Sequence, residues 1–157
     1  MIIKGLLDED FVNYRVPSMF ISTARCNFKC DRECGESVCQ NSSLAKQAEL
    51  SIDDDLIVER YLNNPITNAV IFSGLEPFDQ FAEMYGLIGK FRDHTDDDIV
   101  IYTGYTEEEI PAYTFLLKNF KNIIVKFGRY IPGQKKHYDD VLGIKLASDN
   151  QYGVRIS

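Results

Sequence analysis

Residues 68–77 read Asn-Ala-Val-Ile-Phe-Ser-Gly-Leu-Glu-Pro. Ala69 to Phe72 run without a polar break into Ser73 and Gly74. A strand with one wet face alternates apolar and polar residues, whereas a strand covered on both faces does not. This stretch therefore predicts a fully covered strand that ends in a glycine turn. Two later segments have the same form: Asp-Asp-Ile-Val-Ile-Tyr-Thr-Gly ends at Gly104, and Asn-Ile-Ile-Val-Lys-Phe-Gly ends at Gly128. An earlier one centres on Met19, Phe20 and Ile21.

Helical patterns separate these strands. Ser51 to Asp55 precedes Leu56-Ile57-Val58-Glu59-Arg60-Tyr61-Leu62, where Leu56, Ile57 and Tyr61 keep a 3.6-residue period up to Pro65. Phe81, Met84, Tyr85, Ile88 and Phe91 recur at the same period. Thr106 stands before Glu107-Glu108-Glu109, acids suited to a helix N-terminus, and the pattern runs on through Pro111 to Phe120. Ser42 to Leu50 reads as a further short helix. The alternation predicts an α/β fold with a parallel sheet and right-handed crossovers. Four repeats are too few for an eight-stranded barrel, which leaves a shortened (βα) half-barrel or a small doubly wound sheet. No linker or internal repeat divides residues 1–157, so a single domain is expected. In the weakly periodic tail, Asp140 to Leu146 is the best candidate for an edge strand.

Composition narrows the function. Apolar residues make up 45 % of the chain, enough for a core. Lys and Arg number 17 against 24 Asp and Glu, and no basic tract exceeds Lys135-Lys136, which argues against nucleic-acid binding. The start of the sequence lacks a signal-peptide pattern, and no apolar run is long enough to span a bilayer. A cytoplasmic protein with reduced thiols is expected.

In a parallel sheet, ligands bind at the carboxyl ends of the strands. Here those ends carry Ser73-Gly74-Leu75-Glu76-Pro77, Thr103-Gly104-Tyr105 and Lys126-Phe127-Gly128-Arg129. The first strand leads into Cys26-x3-Cys30-x3-Cys34-x4-Cys39, which holds all four cysteines. Structural zinc sites favour separated Cys-x2-Cys pairs, and this loop has none. A strand followed by Cys-x3-Cys in an α/β chain points instead to an iron–sulfur cluster held by thiolates.

The loop resembles that of the radical S-adenosylmethionine enzymes, whose usual motif is Cys-x3-Cys-x2-Cys. Ser73-Gly74-Leu75-Glu76-Pro77 is similar to their Gly-Gly-Glu-Pro segment, with Leu75 in place of the second glycine. Within that superfamily the chain looks most like the anaerobic ribonucleoside-triphosphate reductase activating proteins. It shares their short length, the Thr103-Gly104-Tyr105 strand end, the Ser148-Asp149-Asn150-Gln151 segment and an Asn two places after the third cysteine, here Asn41.

The resemblance implies an incomplete radical S-adenosylmethionine barrel, a [4Fe–4S] cluster with three thiolate ligands, and S-adenosylmethionine at the open iron. Reductive cleavage would yield a 5′-deoxyadenosyl radical, which takes a hydrogen from a glycine of the reductase large subunit. Flavodoxin or ferredoxin would be the electron donor. Glu76, with Ser73 and Gly74, would hold the methionine ammonium; Val38 would pack at the adenine and Asn41 would stand at the family's cofactor-binding Asn; Thr103 and Tyr105 would meet ribose or adenine. Lys126 and Arg129 would meet a carboxylate, the partner, or only solvent.

The spacing departs from the family. Cys26, Cys30 and Cys34 give C-x3-C-x3-C; Cys26, Cys30 and Cys39 give C-x3-C-x8-C. The second is preferred because it puts Asn41 in register, with Val38 as the apolar neighbour. Cys34 sits between Glu33 and Gly35-Glu36, where acids disfavour a thiolate. Two rivals stand beside the activase: a radical enzyme acting on a small molecule or peptide, and a non-catalytic iron–sulfur binding module.

Overall fold

The computed structural model describes all 157 residues. Nine strands form in chain order: β1 (Ile2–Asp10), β2 (Ser18–Thr23), β3 (Leu50–Ser51), β4 (Ala69–Gly74), β5 (Asp98–Tyr102), β6 (Ile123–Phe127), β7 (His137–Asp139), β8 (Ile144–Leu146) and β9 (Tyr152–Arg155). Five α-helices form: α1 (Lys29–Cys34), α2 (Ser42–Ala45), α3 (Asp54–Leu62), α4 (Phe81–Arg92) and α5 (Pro111–Leu117). None is long and apolar enough to cross a membrane.

Seven strands make one open sheet in the order β3-β1-β2-β4-β5-β6-β9. The four central strands, β2, β4, β5 and β6, are parallel. They are the four that the sequence predicts, and the α/β class holds. The outer strands β1, β3 and β9 add antiparallel. The expected edge strand at Asp140–Leu146 does not join this sheet. Its Ile144–Leu146 part pairs with β7 in a separate hairpin, and β9 takes the edge beside β6.

The two faces of the sheet are covered differently. One buries Val70, Phe72, Ile99, Ile101, Ile123 and Val125 against helical Ile57, Tyr61, Met84, Leu87, Ile88, Phe91 and Leu117. Met84, Leu87, Ile88 and Phe91 repeat at i, i+3, i+4 and i+7, which gives α4 its apolar stripe. The other face buries Ala69, Ile71, Val100 and Ile124 under Tyr14, Leu142 and Leu146. No helix covers that face. A strap, residues 11–17, and the β7–β8 hairpin do so instead. Tyr14 donates to Asp98 at 2.7 Å, Tyr102 donates to the Asn13 carbonyl at 2.5 Å, and Arg15 bonds the carbonyls of Asp140 and Val141. The crossover helices α3, α4 and α5 all pack on one face, which rules out the doubly wound alternative.

Several local expectations change. Helix α3 is capped by Asp53, whose side chain accepts from the Asp55 N–H at 2.8 Å; Leu56 faces solvent and Val58 takes the buried position beside Ile57. Helix α2 stops at Ala45, and Leu50 pairs with β1 instead of ending a helix. Thr106 and Glu109 form a capping box, but over a 3-10 turn at Glu107–Glu109 that precedes α5.

Candidate metal centre

Alternation along a strand places residues two apart on one face. Phe20, Ile71, Val100 and Ile124 line the strap side of the sheet. Two residues further on, Ser22, Ser73, Tyr102 and Lys126 therefore share that side at the carboxyl ends. Ser22 is paired with Ser73, and Tyr102 with Lys126. Ser73, Tyr102 and Lys126 of this polar row line a cavity of about 490 Å³.

The cysteine loop roofs the cavity. It leaves β2 at Thr23, and Phe28 turns it with φ 54, a left-handed conformation uncommon for a bulky residue. Helix α1 then carries Cys30, and Gly35 ends the helix with φ 71. Cys26, Cys30, Val38, Cys39 and Asn41 all line the cavity. Cys34 is exposed and does not. Burial pushes the Cys26 thiol up to about 11, against the Phe28 N–H that donates to its sulfur. Burial also raises Cys30, with Cys39 nearby adding to the shift. Ligation by these thiols would thus release protons.

The loop is tied down at three points. Asn27 donates its backbone N–H to Asp79 Oδ2 at 2.8 Å and its side-chain amide to the Tyr105 hydroxyl at 2.8 Å. Lys29 reaches Glu109, which also accepts from Arg129 at 2.7 Å, while Glu33 pairs with Arg129 at 3.3 Å. Burial alone would raise the Glu109 carboxyl, but the Arg129 and Lys29 bonds hold it down at about 2. Asn41 donates to the Gly74 carbonyl at 2.6 Å.

The strand ends interlock beneath the loop. Thr23 donates to the Ser73 carbonyl at 2.9 Å, and the Glu76 N–H donates to the Arg25 carbonyl at 2.7 Å. The buried Glu76 carboxylate accepts from Thr103 Oγ1 at 2.8 Å, Gly104 N at 2.9 Å and Phe78 N at 3.1 Å. Burial outweighs those donors and pushes its pKa up to about 7. Glu76 is therefore first a bracket between the β4 and β5 ends. It also lines the cavity, and its Oε2 accepts one bond with room for a second.

Ser73, Gly74, Glu76 and Thr103 reach the cavity wall. Tyr105 does not: its hydroxyl donates to Asp79, and its ring lies 5.6 Å from Lys29 Nζ and 5.8 Å from the Arg129 guanidinium. It steadies the loop from outside. Leu75 adds its side chain to the cavity lining.

Lys126 corrects the solvent alternative. It is 6 % exposed, its Nζ donates to the Gly128 carbonyl at 2.7 Å, and burial pushes it down to about 8. No carboxylate pairs with it. The Ser148-to-Gln151 segment staples this strand end: Gln151 donates to the Gly128 carbonyl at 3.3 Å, and Asn150 to that of Arg129 at 2.7 Å. The alternation inside β6 was the signal for Lys126, since Ile124 and Lys126 share a face.

No three His, Cys, Asp or Glu side chains lie close enough together to hold one metal ion. A four-iron cube takes each thiolate at a different iron, so its ligands need not converge on one point as they do for a single ion. Three half-buried thiols on the cavity roof, beside a buried unpaired cation, fit such a group.

Fold and site together define an α/β protein with a thiol-roofed cavity at the carboxyl rim of a parallel sheet. A family model described as 4Fe-4S single cluster domain matches residues 15–151. The chain belongs to that family and is a [4Fe–4S] cluster-binding protein. No curated protein and no solved structure matches it.

Proposed function

We propose that the chain is a radical S-adenosylmethionine activase that generates a glycyl radical on an anaerobic ribonucleoside-triphosphate reductase. One observation carries the reading. Cys26, Cys30 and Cys39 share a single cavity with Ser73, Gly74 and Glu76, and Cys34 lies outside it. The open sheet with helices on one face suits a shortened form of the radical S-adenosylmethionine barrel.

A bound cluster would supply the electron for cleavage of S-adenosylmethionine. The chain's own residues bind, orient and exclude water. Cys26, Cys30 and Cys39 would hold the cluster. The free position on Glu76 Oε2 accepts the methionine ammonium, and Lys126 meets the methionine carboxylate. Val38 and Asn41 flank the adenine, and Thr103 acts through its bond to Glu76. The partner would be the reductase large subunit, with flavodoxin or ferredoxin as electron donor.

The strap and hairpin favour a second reading, a radical enzyme acting on a small molecule or peptide. Asn13 of the strap and Ile144 to Leu146 of the hairpin wall the cavity and narrow its approach. Anaerobic reconstitution and reduction, followed by assay for 5′-deoxyadenosine, tests both. Product together with a glycyl radical signal on added reductase supports the activase. Product without that signal leaves the small-molecule enzyme. No product from a fully loaded protein refutes both.

A further inference from the structure

We propose that Asp31 is a positioning residue for the third thiol: it fastens the backbone of Cys39 to the helix that carries Cys30. The inference rests on the cluster reading above for its purpose and on geometry for its content. Eight residues separate Cys30 from Cys39. A free loop of that length has many conformations, and few of them bring its ends together.

Asp31 removes that freedom from both sides. Its backbone carbonyl accepts the Gly35 N–H at 2.9 Å, where Gly35 turns the chain out of α1. Its carboxylate Oδ1 accepts the Val38 N–H at 2.9 Å and the Cys39 N–H at 2.8 Å. The last turn of α1 and the turn that follows, residues 32–37, are thereby closed onto Asp31. Cys34, the last residue of α1, faces solvent. Cys39 returns next to α1 and lines the same cavity as Cys30. On its far side, Asn41 is held by the Gly74 carbonyl. Cys39 therefore sits between two anchors, one on the helix and one on β4. Asp31 supplies by hydrogen bonding the closeness that a shorter cysteine spacing supplies through the chain itself.

The test uses the metal-free protein. Dibromobimane bridges thiols that lie near each other, and peptide mapping identifies the bridged pair. Wild-type protein should give a Cys30–Cys39 link. D31A should lower the Cys30–Cys39 link about tenfold, the order expected for two lost hydrogen bonds. D31N keeps an oxygen acceptor at the same place and should bridge like wild type. Thermal unfolding of each variant checks that the sheet is intact. Wild-type bridging in D31A overturns the proposal, and so does a folded D31N that behaves like D31A.

Iron uptake is measured separately. A D31A that loses the bridge, in a protein whose wild type takes up no iron, upholds the role of Asp31 and refutes the cluster reading. A wild type that loads iron, with a D31A that bridges normally, does the reverse.

Discussion

Asn41 donates its side-chain amide to the carbonyl oxygen of Gly74 across 2.6 Å. This one bond joins the end of the cysteine loop to the end of the central strand. Asn41→Ala should cost about 1 kcal/mol of stability, the usual worth of such a bond, and should release the cluster faster. The denaturant midpoint and the decay of visible absorbance in air measure the two effects. An unchanged decay would show that the loop is held without Asn41.

Gly128 has φ 94, and a Cβ there would lie 2.6 Å from the Asn150 carbonyl oxygen. The nearest atoms, the Asn150 carbonyl oxygen and carbon, are backbone, so they do not yield cheaply. Gly128→Ala should lose about 2 kcal/mol or more. Gly104 is the control: its Cβ would meet Arg129, Glu76 and Cys30 at ordinary distances of 3.4 to 3.7 Å. Gly104→Ala should stay within about 0.5 kcal/mol of wild type in urea unfolding.

Glu76 keeps its proton up to about pH 7 in the folded chain, against an ordinary value of 4.5. The folded state therefore binds the extra proton between those values. The stability this provides is complete below 4.5 and is lost as pH rises through 7, a change on the order of 3 kcal/mol. Melting temperature should fall over that range in wild type and stay flatter in Glu76→Gln. Affinity for S-adenosylmethionine should run the other way, rising as the carboxylate ionises. Parallel slopes in wild type and variant would assign the effect to other groups.

Lys126 is a buried cation whose one hydrogen-bond partner is the Gly128 carbonyl. Lys126→Met keeps the volume and removes the charge. The fold should be as stable as wild type or more so, because burying a charge without a counter-ion is unfavourable. Binding of S-adenosylmethionine to the loaded protein should weaken about tenfold or more. Equilibrium dialysis reads this directly, and unchanged affinity would remove Lys126 from the ligand site.

The parallel core was legible because Ala69–Phe72, Asp98–Tyr102 and Ile123–Phe127 are apolar runs ended by glycine. Their uninterrupted form also hid something. It reported two covered faces but not that a strap and a hairpin, without helices, cover one of them. Helix α1 was not legible: its six residues carry no buried position, and it starts at a left-handed Phe28 with no capping side chain. Tyr152–Arg155 was missed as the edge strand because four residues, with only Val154 set against the core, are too few to show a period.

At the site, the Cys39 preference rested on the position of Asn41. The structure adds that Cys34 lies outside the cavity and that the Asp31 carboxylate, eight residues before Cys39, holds the Cys39 backbone beside α1. Distance along the chain gives no sign of that bond. Of Thr103 and Tyr105, both expected at the nucleoside, Thr103 lines the cavity and Tyr105 does not, and their hydroxyls donate to Glu76 and Asp79.

The central claim is that Cys26, Cys30 and Cys39 hold the cluster without Cys34. Anaerobic reconstitution of Cys34→Ala and Cys39→Ala, with iron content and visible absorbance measured on each, tests it most directly. Cys34→Ala should load iron and absorb as wild type does, and Cys39→Ala should lose both. A cluster retained in Cys39→Ala and lost in Cys34→Ala would contradict the account.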